Sequence, residues 1–198
     1  MVEPPGWHSR GYLPHFDNGR SLQAVTYRLA DALPAAVVLR LEEQSIDQAA
    51  HRAEIERFID AGHGCCLLRR AENARLVVAN WRHFDGLRYQ LHAWVVMPNH
   101  VHVLIEPIAN HSLSEIVQSW KSYTAKALLR HDAGQRPALP TSSRVWQADY
   151  WDRFIRDERH YRATVDYIHQ NPVHAGLCAN AEDWPWSSLG ARADGPQD

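Results

Sequence analysis

The sequence has little cysteine and no long apolar run. Its 198 residues include three cysteines, Cys65, Cys66 and Cys178, and none of them forms a CxxC pair. This usage argues against a disulfide framework and against a zinc site built on thiolates. No hydrophobic stretch approaches the roughly 20 residues of a membrane-spanning helix, and no apolar segment with a basic flank resembles a secretory signal. We therefore expect a soluble cytoplasmic protein with reduced thiols.

The sequence also lacks an overall positive charge. Its formal net charge is −2 and its isoelectric point is about 6.7, so it has no global basic footprint. The charge is unevenly distributed, because residues 118–170 carry nine Lys and Arg against six Asp and Glu. A local excess of this kind is compatible with an anionic partner, and also with a solvated helix surface.

The hydrophobic pattern predicts an α+β fold in a single domain. We expect an arm at 1–21, a core at 22–132 and a basic, aromatic and helical segment at 144–198. Two strands joined at Pro98 and Asn99 read as an antiparallel pair. The predicted core elements are a strand at Leu22–Leu29, helices at Ser45–Gly62 and Ala71–Gly86, strands at Arg88–Met97 and His100–Pro107, and a helix that begins at Ser112.

Local signals fix several element ends. Ser112 with Glu115 three residues later is a capping-box pattern, which indicates a helix start. The segment Gly134–Ser143 reads as a loop. A helix in the second half of 144–172 should end near Asn171, since a proline at 172 disfavours helical geometry before it. "EDWPWSS" at Glu182–Ser188 reads as a packing element rather than a site.

Two histidines stand one residue apart in the apolar strand "HVHVLIEP". Side chains alternate between the two faces of a strand, so His100 and His102 point the same way and Leu104 continues their row. Two imidazoles on one face can converge on a metal ion or a phosphate. Glu106 lies farther along the same row, as an additional ligand or as a solvated charge.

Other classes that use an HxH pattern fit less well. A nucleotide hydrolase of the histidine-triad type needs a third histidine where Leu104 stands. A metal-dependent amidohydrolase barrel needs about 250 residues. A structural zinc site would add further Cys or His at close spacing, and none is evident.

A helical stripe follows the histidine strand. It is apolar from Leu113 to Leu128 and should pack on the sheet. Tyr123 lies at its edge, with Lys126 and Arg130 on the same side. Tyr123 reads either as a boundary aromatic or as a phenol nucleophile, and a phenol of pKa near 10 needs help to attack a phosphodiester.

The segment after the predicted loop alternates rings and guanidinium groups. Unpaired bases stack on rings, and arginines follow phosphates. As a group these residues indicate DNA contact, although each could be structural. The same interpretation applies more weakly to His15, Asp17 and Arg28. With the cations of the preceding helix, the nucleic-acid-binding candidates are Lys121, Lys126, Arg130, Trp146, Gln147, Tyr150, Arg153 and Arg156.

Five blocks in order resemble the REP-associated tyrosine transposases, a branch of the single-tyrosine HUH transposases related to insertion-sequence transposases. They are "PHFDNG" with "VTYRLADALP", "WVVMPNHVHVLIEP", "SEIVQSWKSYTAKALL", "VWQADYWDRFIRDERHY" and "YIHQNPVHAGL" with "EDWPWSS". The resemblance implies a ferredoxin/RRM-like domain with a central antiparallel sheet, helices on one face and a helical C-terminal extension.

The resemblance also implies a reaction. A tyrosine attacks single-stranded or hairpin DNA, forms a 5′-phosphotyrosine intermediate and frees a 3′-OH, assisted by Mg²⁺ or Mn²⁺ on the histidine pair. Carried over, Tyr123 is the nucleophile, and His100 and His102 are the metal ligands. Such an enzyme would work in the bacterial cytoplasm on nucleoid DNA, as a monomer or a homodimer.

One position departs from the family pattern. Relatives often place a Glu, Gln or Asn metal ligand one helical turn after the tyrosine, and Ala127 stands there. Glu106 or His131 could complete the site instead. The departure motivates an alternative, a domesticated protein of the same fold that binds DNA without cutting it. A metal-dependent nucleotide hydrolase is a more distant alternative.

Overall fold

The computed structural model describes residues 7–9, 14–16, 21–33, 37, 48–108, 110–132 and 144–193. The predicted loop at Gly134–Ser143 and most of the predicted arm lie outside these residues. The strands are β1 (Trp7–Ser9), β2 (Pro14–Phe16), β3 (Gln23–Arg28), β4 (Tyr89–Val96), β5 (His100–Pro107) and β6 (Trp151–Phe154). The α-helices are α1 (Gln48–Asp60), α2 (Ala71–His83), α3 (Leu113–Asp132), α4 (Glu158–His174) and α5 (Gly190–Ala193), with short 3₁₀ turns at Leu67–Arg69 and Ala181–Asp183.

The centre of the fold is a four-stranded antiparallel sheet in the order β4-β5-β3-β6. The α+β class and the antiparallel sheet predicted above are confirmed. The strand β6 was not predicted, because the four residues of Trp151–Phe154 are too few for a clear alternation. This strand pairs with β3 and so places the C-terminal segment against the sheet.

The two faces of the sheet pack against different helices. Val101, Val103 and Ile105 of β5 belong to the main core together with α2 and α3. Leu104, on the other face, belongs to a second cluster with Ile168 of α4. Helices α2 and α3 therefore cover one face, and α4 of the C-terminal extension packs against the other.

Aromatic side chains with satisfied polar groups fill the main core. The Trp120 indole donates to the Tyr89 hydroxyl at 2.9 Å, and that hydroxyl donates to the Trp81 carbonyl oxygen at 2.7 Å. The Trp81 indole in turn donates to the Tyr27 hydroxyl at 3.1 Å. Buried rings of this kind combine a large apolar area with polar atoms that need partners. The series of hydrogen bonds fixes the orientation of the rings.

The helix ends follow local chemistry, with one correction. The backbone N–H of Glu115 donates to the Ser112 hydroxyl and that of Ser112 donates to the Glu115 carboxylate, both at 3.3 Å, so the predicted capping box is present. The prediction that α4 ends near Asn171 was wrong, since the helix continues to His174. The fixed φ of Pro172 is compatible with a helix, and its cost is one lost hydrogen bond to the preceding turn.

The C-terminal segment closes one edge of the sheet. The Val96 N–H donates to the Trp186 carbonyl at 2.7 Å, and the Ser188 N–H donates to the Trp94 carbonyl at 2.9 Å. The Trp184 indole adds a bond to the Val96 carbonyl at 3.0 Å. These contacts agree with the predicted packing role of "EDWPWSS", since an open edge strand would expose unpaired backbone groups.

In the described part of the chain, no helix is both long and apolar enough to cross a membrane.

Candidate functional site

His100 and His102 converge as the strand pattern predicts. Their Nε2 atoms lie 3.1 Å apart, and both rings are almost completely buried. The register places Thr26 of β3 directly opposite His102, on the same face. The pair therefore lies on the face that α4 covers.

Each ring is oriented by a hydrogen bond at its other nitrogen. His100 Nδ1 lies 2.8 Å from Asn99 Oδ1, and His102 Nδ1 lies 2.7 Å from Thr26 Oγ1. The Asn99 amide uses its N–H groups on the carbonyl oxygens of Ile59 and His63. Its oxygen must therefore accept from His100, which assigns the proton of His100 to Nδ1 and leaves a lone pair on Nε2.

Burial keeps the two imidazoles neutral. Desolvation lowers the pKa of His102 to about 3. Desolvation, reinforced by the neighbouring His102, lowers the pKa of His100 well below its ordinary value. Neutral imidazole is the form that binds metal ions, so both side chains are suitable ligands at neutral pH.

The spacing of the pair fits a common metal ion. Two bonds of about 2.1 Å at a right angle separate their nitrogens by about 3.0 Å, close to the observed spacing. Asp60 Oδ1 lies 3.4 Å from His100 Nε2. Burial, followed by the charge of Glu56, raises the pKa of Asp60 to about 6. In the described ranges no three His, Cys, Asp or Glu side chains form a metal cluster.

The tyrosine next to the pair is Tyr167, on α4. Its ring meets the His102 ring edge-on, with centroids 5.3 Å apart and planes at 79°. The Glu56 carboxylate lines the same cleft. Burial, followed by the charge of Glu56, raises the pKa of this phenol, and the Asn171 side chain lowers it.

Asn171 lies one helical turn after Tyr167 and is buried. Among the residues that the structure describes, its Oδ1 has no hydrogen-bond partner. A buried amide oxygen without a partner is costly, and such atoms often mark functional sites. An amide oxygen of this kind could also serve as a ligand for a divalent ion.

Tyr123 was predicted as the nucleophile, and the structure does not bring it to the histidines. It projects from α3 with 58% of its surface exposed. The apolar stripe of α3 packs with Val101 and Val103, so this helix lies against the opposite face of the sheet from His100 and His102. The sheet itself separates Tyr123 from the pair within one chain.

Two predicted DNA contacts need correction because their side chains are buried. Lys121 is 8% exposed, and its ammonium donates to the Ala148 carbonyl at 2.7 Å. Trp146 is 4% exposed, and its indole donates to the Thr124 hydroxyl at 2.9 Å. Both side chains hold the segment before β6 against α3, and neither presents a surface to a DNA strand.

The remaining predicted DNA contacts are divided between two surfaces. Lys126 and Arg130 are exposed on α3, away from the histidine face. Gln147 and Tyr150 are half-buried, and Tyr150 packs against the main core. Three cations lie on the histidine side. Arg153 is exposed on β6, Arg156 is exposed before α4, and the guanidinium of Arg28 lies 5.8 Å from the Trp151 ring centre.

Of the other candidates, Glu106 lies 3.8 Å from His92, and the side chains of His15, Asp17 and His131 lie outside the described residues.

An open cleft of about 520 Å³ lies beside His102 and Tyr167. It runs between β3, β6, α1 and α4. Its polar lining comprises Thr26, Glu56, His102, Asp152, Arg153, His160, Thr164 and Tyr167, with Trp151 as an aromatic wall. His160 accepts a bond from the Arg156 backbone at 3.3 Å, which leaves a proton on its Nε2, and that atom has no partner.

Sequence reasoning missed Tyr167, Asn171, Thr26, Asn99, Glu56 and Asp60. A signal existed for the first two. Of the seven tyrosines, Tyr167 alone is followed four residues later by a Glu, Gln or Asn. The family pattern expects a ligand one helical turn after the tyrosine. A search of all the tyrosines for this spacing, and not of one helix only, selects Tyr167 and Asn171.

Comparisons with known proteins indicate the family of the chain. Residues 74–171 match the family model described as "Transposase IS200 like". A REP-associated tyrosine transposase of Escherichia coli (strain K12) is 32% identical over 102 residues, which are 51% of this chain and 54% of that protein. The aligned part thus spans about half the length of the curated relatives.

A solved structure is similar over most of the chain. It is a REP-associated tyrosine transposase bound to a REP hairpin, with a TM-score of 0.51 and 20% identity, covering 98% of this chain and 87% of that one. At this identity the likeness shows a shared fold. The resemblance inferred from the sequence blocks is confirmed.

Proposed function

The chain belongs to the IS200-like transposase family, and on that premise we propose that it is a DNA strand-transfer enzyme whose nucleophile is Tyr167. The observation that carries the proposal is the placement of this phenol against His102, with Asn171 one turn along the same helix. His102 and Tyr167 line one cleft, so a single phosphodiester there can contact both of them.

The proposed substrate is single-stranded or hairpin DNA of the REP type. The curated relative is a REP-associated transposase, and the similar structure holds a REP hairpin. The cleft suits an unpaired strand, because Arg153 can follow a phosphate and Trp151 offers a ring to a base. We expect the enzyme to act on the DNA of the bacterial nucleoid.

In the proposed reaction the Tyr167 oxygen attacks the phosphorus as its proton passes to solvent, an O–P bond forms, and the P–O3′ bond breaks. The DNA 5′ end is then held on the tyrosine, and the 3′ oxygen leaves with the bonding electrons and takes a proton from solvent. Attack on the phosphotyrosine by a 3′-OH reverses these bonds and completes strand transfer.

His100, His102 and Asn171 would hold a divalent ion such as Mg²⁺ or Mn²⁺. When bound, the ion supplies positive charge beside the phosphoryl oxygens. Asn99 and Thr26 orient the two imidazoles for this task, and outer partners of this kind set ligand geometry. Arg28 and Arg153 add fixed positive charge on the same face.

A matched pair of tyrosine variants tests the proposal. Hairpin oligonucleotides labelled at the 3′ end are incubated with Mn²⁺ and with wild type, Tyr167→Phe or Tyr123→Phe, and covalent adducts are separated on denaturing gels. Because the protein joins the 5′ phosphate, the label stays with it. We expect adducts with wild type and Tyr123→Phe, and none with Tyr167→Phe.

Other outcomes lead elsewhere. An adduct that needs Tyr123 and not Tyr167 would move the nucleophile to α3, with the two groups meeting across a dimer. DNA binding without any adduct, unchanged by chelator, would support the alternative of a binding protein that no longer cuts. Ala127 favours that alternative only if Tyr123 is the nucleophile. If Tyr167 is the nucleophile, the residue one helical turn later is Asn171, and this argument for a binding protein no longer applies.

A further inference from the structure

Helix α1 brings a carboxylate to the histidine pair from outside the family match. The matched segment is 74–171, whereas α1 spans Gln48–Asp60. Asp60 is the last residue of this helix, and its Oδ1 lies 3.4 Å from His100 Nε2. The Asp60 side chain is 28% exposed and that of His100 is 1% exposed. The contact therefore lies where the buried pair meets the surface of the protein.

The end of α1 is held by the same side chain that orients His100. The Asn99 amide donates to the Ile59 carbonyl oxygen at 2.9 Å and to the His63 carbonyl oxygen at 3.0 Å. Its own oxygen lies 2.8 Å from His100 Nδ1. Ile59 is also buried among apolar side chains. Asn99 thus fixes the backbone on both sides of Asp60 and the ring that Asp60 contacts.

The atoms at this contact carry lone pairs. The proton of His100 is on Nδ1, so its Nε2 carries a lone pair. That nitrogen lies 3.1 Å from His102 Nε2 and 3.4 Å from the Asp60 carboxylate oxygen. An ionised carboxylate accepts hydrogen bonds and has no proton to donate to a lone pair. A positive ion, by contrast, is attracted by all three atoms.

Both distances are those expected between neighbouring ligands of one metal ion. Two bonds of about 2.1 Å separate their donor atoms by about 3.0 Å at a right angle and by about 3.4 Å at a tetrahedral angle. The spacings of 3.1 Å and 3.4 Å span this range. Asp60 contacts one imidazole of the pair, and in the described chain the three side chains do not form a closed cluster. A rotation of the partly exposed Asp60 side chain is the adjustment that we expect on binding.

A carboxylate supplies a property that the other proposed ligands lack. The imidazoles of His100 and His102 are neutral, and so is the amide of Asn171. These three groups give a divalent ion no compensating negative charge. Mg²⁺ and Mn²⁺ favour oxygen ligands, carboxylates among them. An anionic oxygen beside the histidine pair therefore suits the ions proposed for this site.

We propose that Asp60 is a further ligand of the divalent ion, supplied by α1 to the family core. This inference rests on the function proposed above for the presence of an ion on His100 and His102. The carboxylate takes a position on the ion that water otherwise occupies, and it balances part of the positive charge.

The test uses Mn²⁺ alone as the probe and does not require the reaction. Asp60→Asn removes the charge and keeps the size of the side chain. Asp166→Asn, the same change at an exposed position of α4, is the control. Titration calorimetry gives the Mn²⁺ dissociation constants, and water-proton relaxation gives the number of waters on the bound ion. The thermal midpoint without metal shows whether both variants are folded.

We expect Asp60→Asn to bind Mn²⁺ at least about 10-fold more weakly than the control, since loss of an outer partner alone costs that much. The bound ion should also carry at least one more water. Equal affinities and equal water counts would overturn the proposal. Weaker binding with an unchanged water count would overturn it too, because Asp60 would then act through its charge without touching the ion.

A measurement on wild type covers the case in which Asp60→Asn does not fold. Protein labelled with ¹³C at the aspartate carboxyl groups is loaded with Mn²⁺ and studied by pulsed electron paramagnetic resonance. A carboxylate bound to the ion gives a strong coupling between Mn²⁺ and its labelled carbon. Absence of this coupling would overturn the proposal.

The two proposals can fail separately. If wild type forms the Tyr167 adduct and Asp60→Asn binds Mn²⁺ as the control does, the ligand assignment fails and the function stands. If wild type forms no adduct while Asp60→Asn loses Mn²⁺ affinity and gains a water, the function fails and the ligand assignment stands. If wild type does not bind Mn²⁺, the ligand assignment fails whatever the adduct shows.

Discussion

The Tyr167 ring lies edge-on against the His102 imidazole, with 5.3 Å between the ring centres. This contact places a hydroxyl-bearing side chain of α4 next to a buried, neutral histidine pair. The fold makes it by pairing β6 with β3, after which the chain crosses to the histidine face and enters α4. The contact leads to predictions about metal binding, DNA binding and stability.

Thr26→Val should weaken Mn²⁺ binding by about 10–100-fold, the range for loss of an outer partner of a metal ligand. The Thr26 hydroxyl lies 2.7 Å from His102 Nδ1, and valine keeps its shape without its oxygen. Isothermal titration with Mn²⁺ measures the effect. Thr164→Val, a matched change in the same cleft away from both histidines, should bind as wild type does.

Asn171→Ala should weaken Mn²⁺ binding by more than the roughly 10–100-fold of an outer partner, because it removes the proposed direct ligand. It should also slow adduct formation, since the Asn171 side chain lowers the pKa of the Tyr167 phenol. Gln170→Ala, at the exposed neighbouring position, serves as the control. Equal Mn²⁺ affinities for the two variants would show that Asn171 is not a ligand.

Arg153→Gln should lower the salt dependence of DNA binding. Each phosphate contact to a single strand contributes a slope of about −0.7 in log K against log salt. Arg153 lines the cleft, whereas Lys126 lies on α3 across the sheet. Fluorescence anisotropy with a labelled hairpin over a salt series should show a slope about 0.7 shallower for Arg153→Gln and unchanged for Lys126→Gln. The reverse result would place the DNA on α3.

Because of Lys121, the free energy of unfolding should vary with pH in the alkaline range. Burial lowers its pKa to about 8 from an ordinary 10.5, so the unfolded chain binds more protons between these values. The Lys121 contribution to the free energy of unfolding should therefore rise between about pH 8 and 10.5 and be lost as the pH falls through 8. Urea denaturation of wild type and Lys121→Met across this range gives the difference. A difference that does not change with pH would show that the buried ammonium does not titrate there.

Much of the histidine site could be predicted from sequence. Strand alternation is strictly local, so it placed His100 and His102 on one face without any tertiary information. The capping box at Ser112 was equally local. By contrast, Tyr123 and Tyr167 both lie on amphipathic helices, and periodicity does not say which face of the sheet a helix covers. That choice depends on β6, a four-residue strand whose pairing is long-range.

The buried DNA candidates failed for a related reason. Trp146 and Lys121 are residue types that are common on nucleic-acid-binding surfaces, and residue type alone does not show whether a side chain is buried. Their partners, Thr124 and Ala148, are brought together by the packing of α3 against the segment before β6. Glu56 and Asp60 were missed because the groups near them, Tyr167 and His100, lie 40 or more positions away in the sequence.

The C-terminal segment has a consequence beyond closing a sheet edge. His169 Nε2 lies 2.8 Å from the Ser188 hydroxyl, and that oxygen also accepts the Trp94 N–H at 3.1 Å. His169 lies between Tyr167 and Asn171 in sequence, so this contact ties the helix that carries both groups to β4 and to residues near the end of the described chain. The orientation of the Tyr167 phenol is therefore linked to Ser188, and a Ser188→Ala change should widen the range of α4 orientations while leaving every group in the cleft intact.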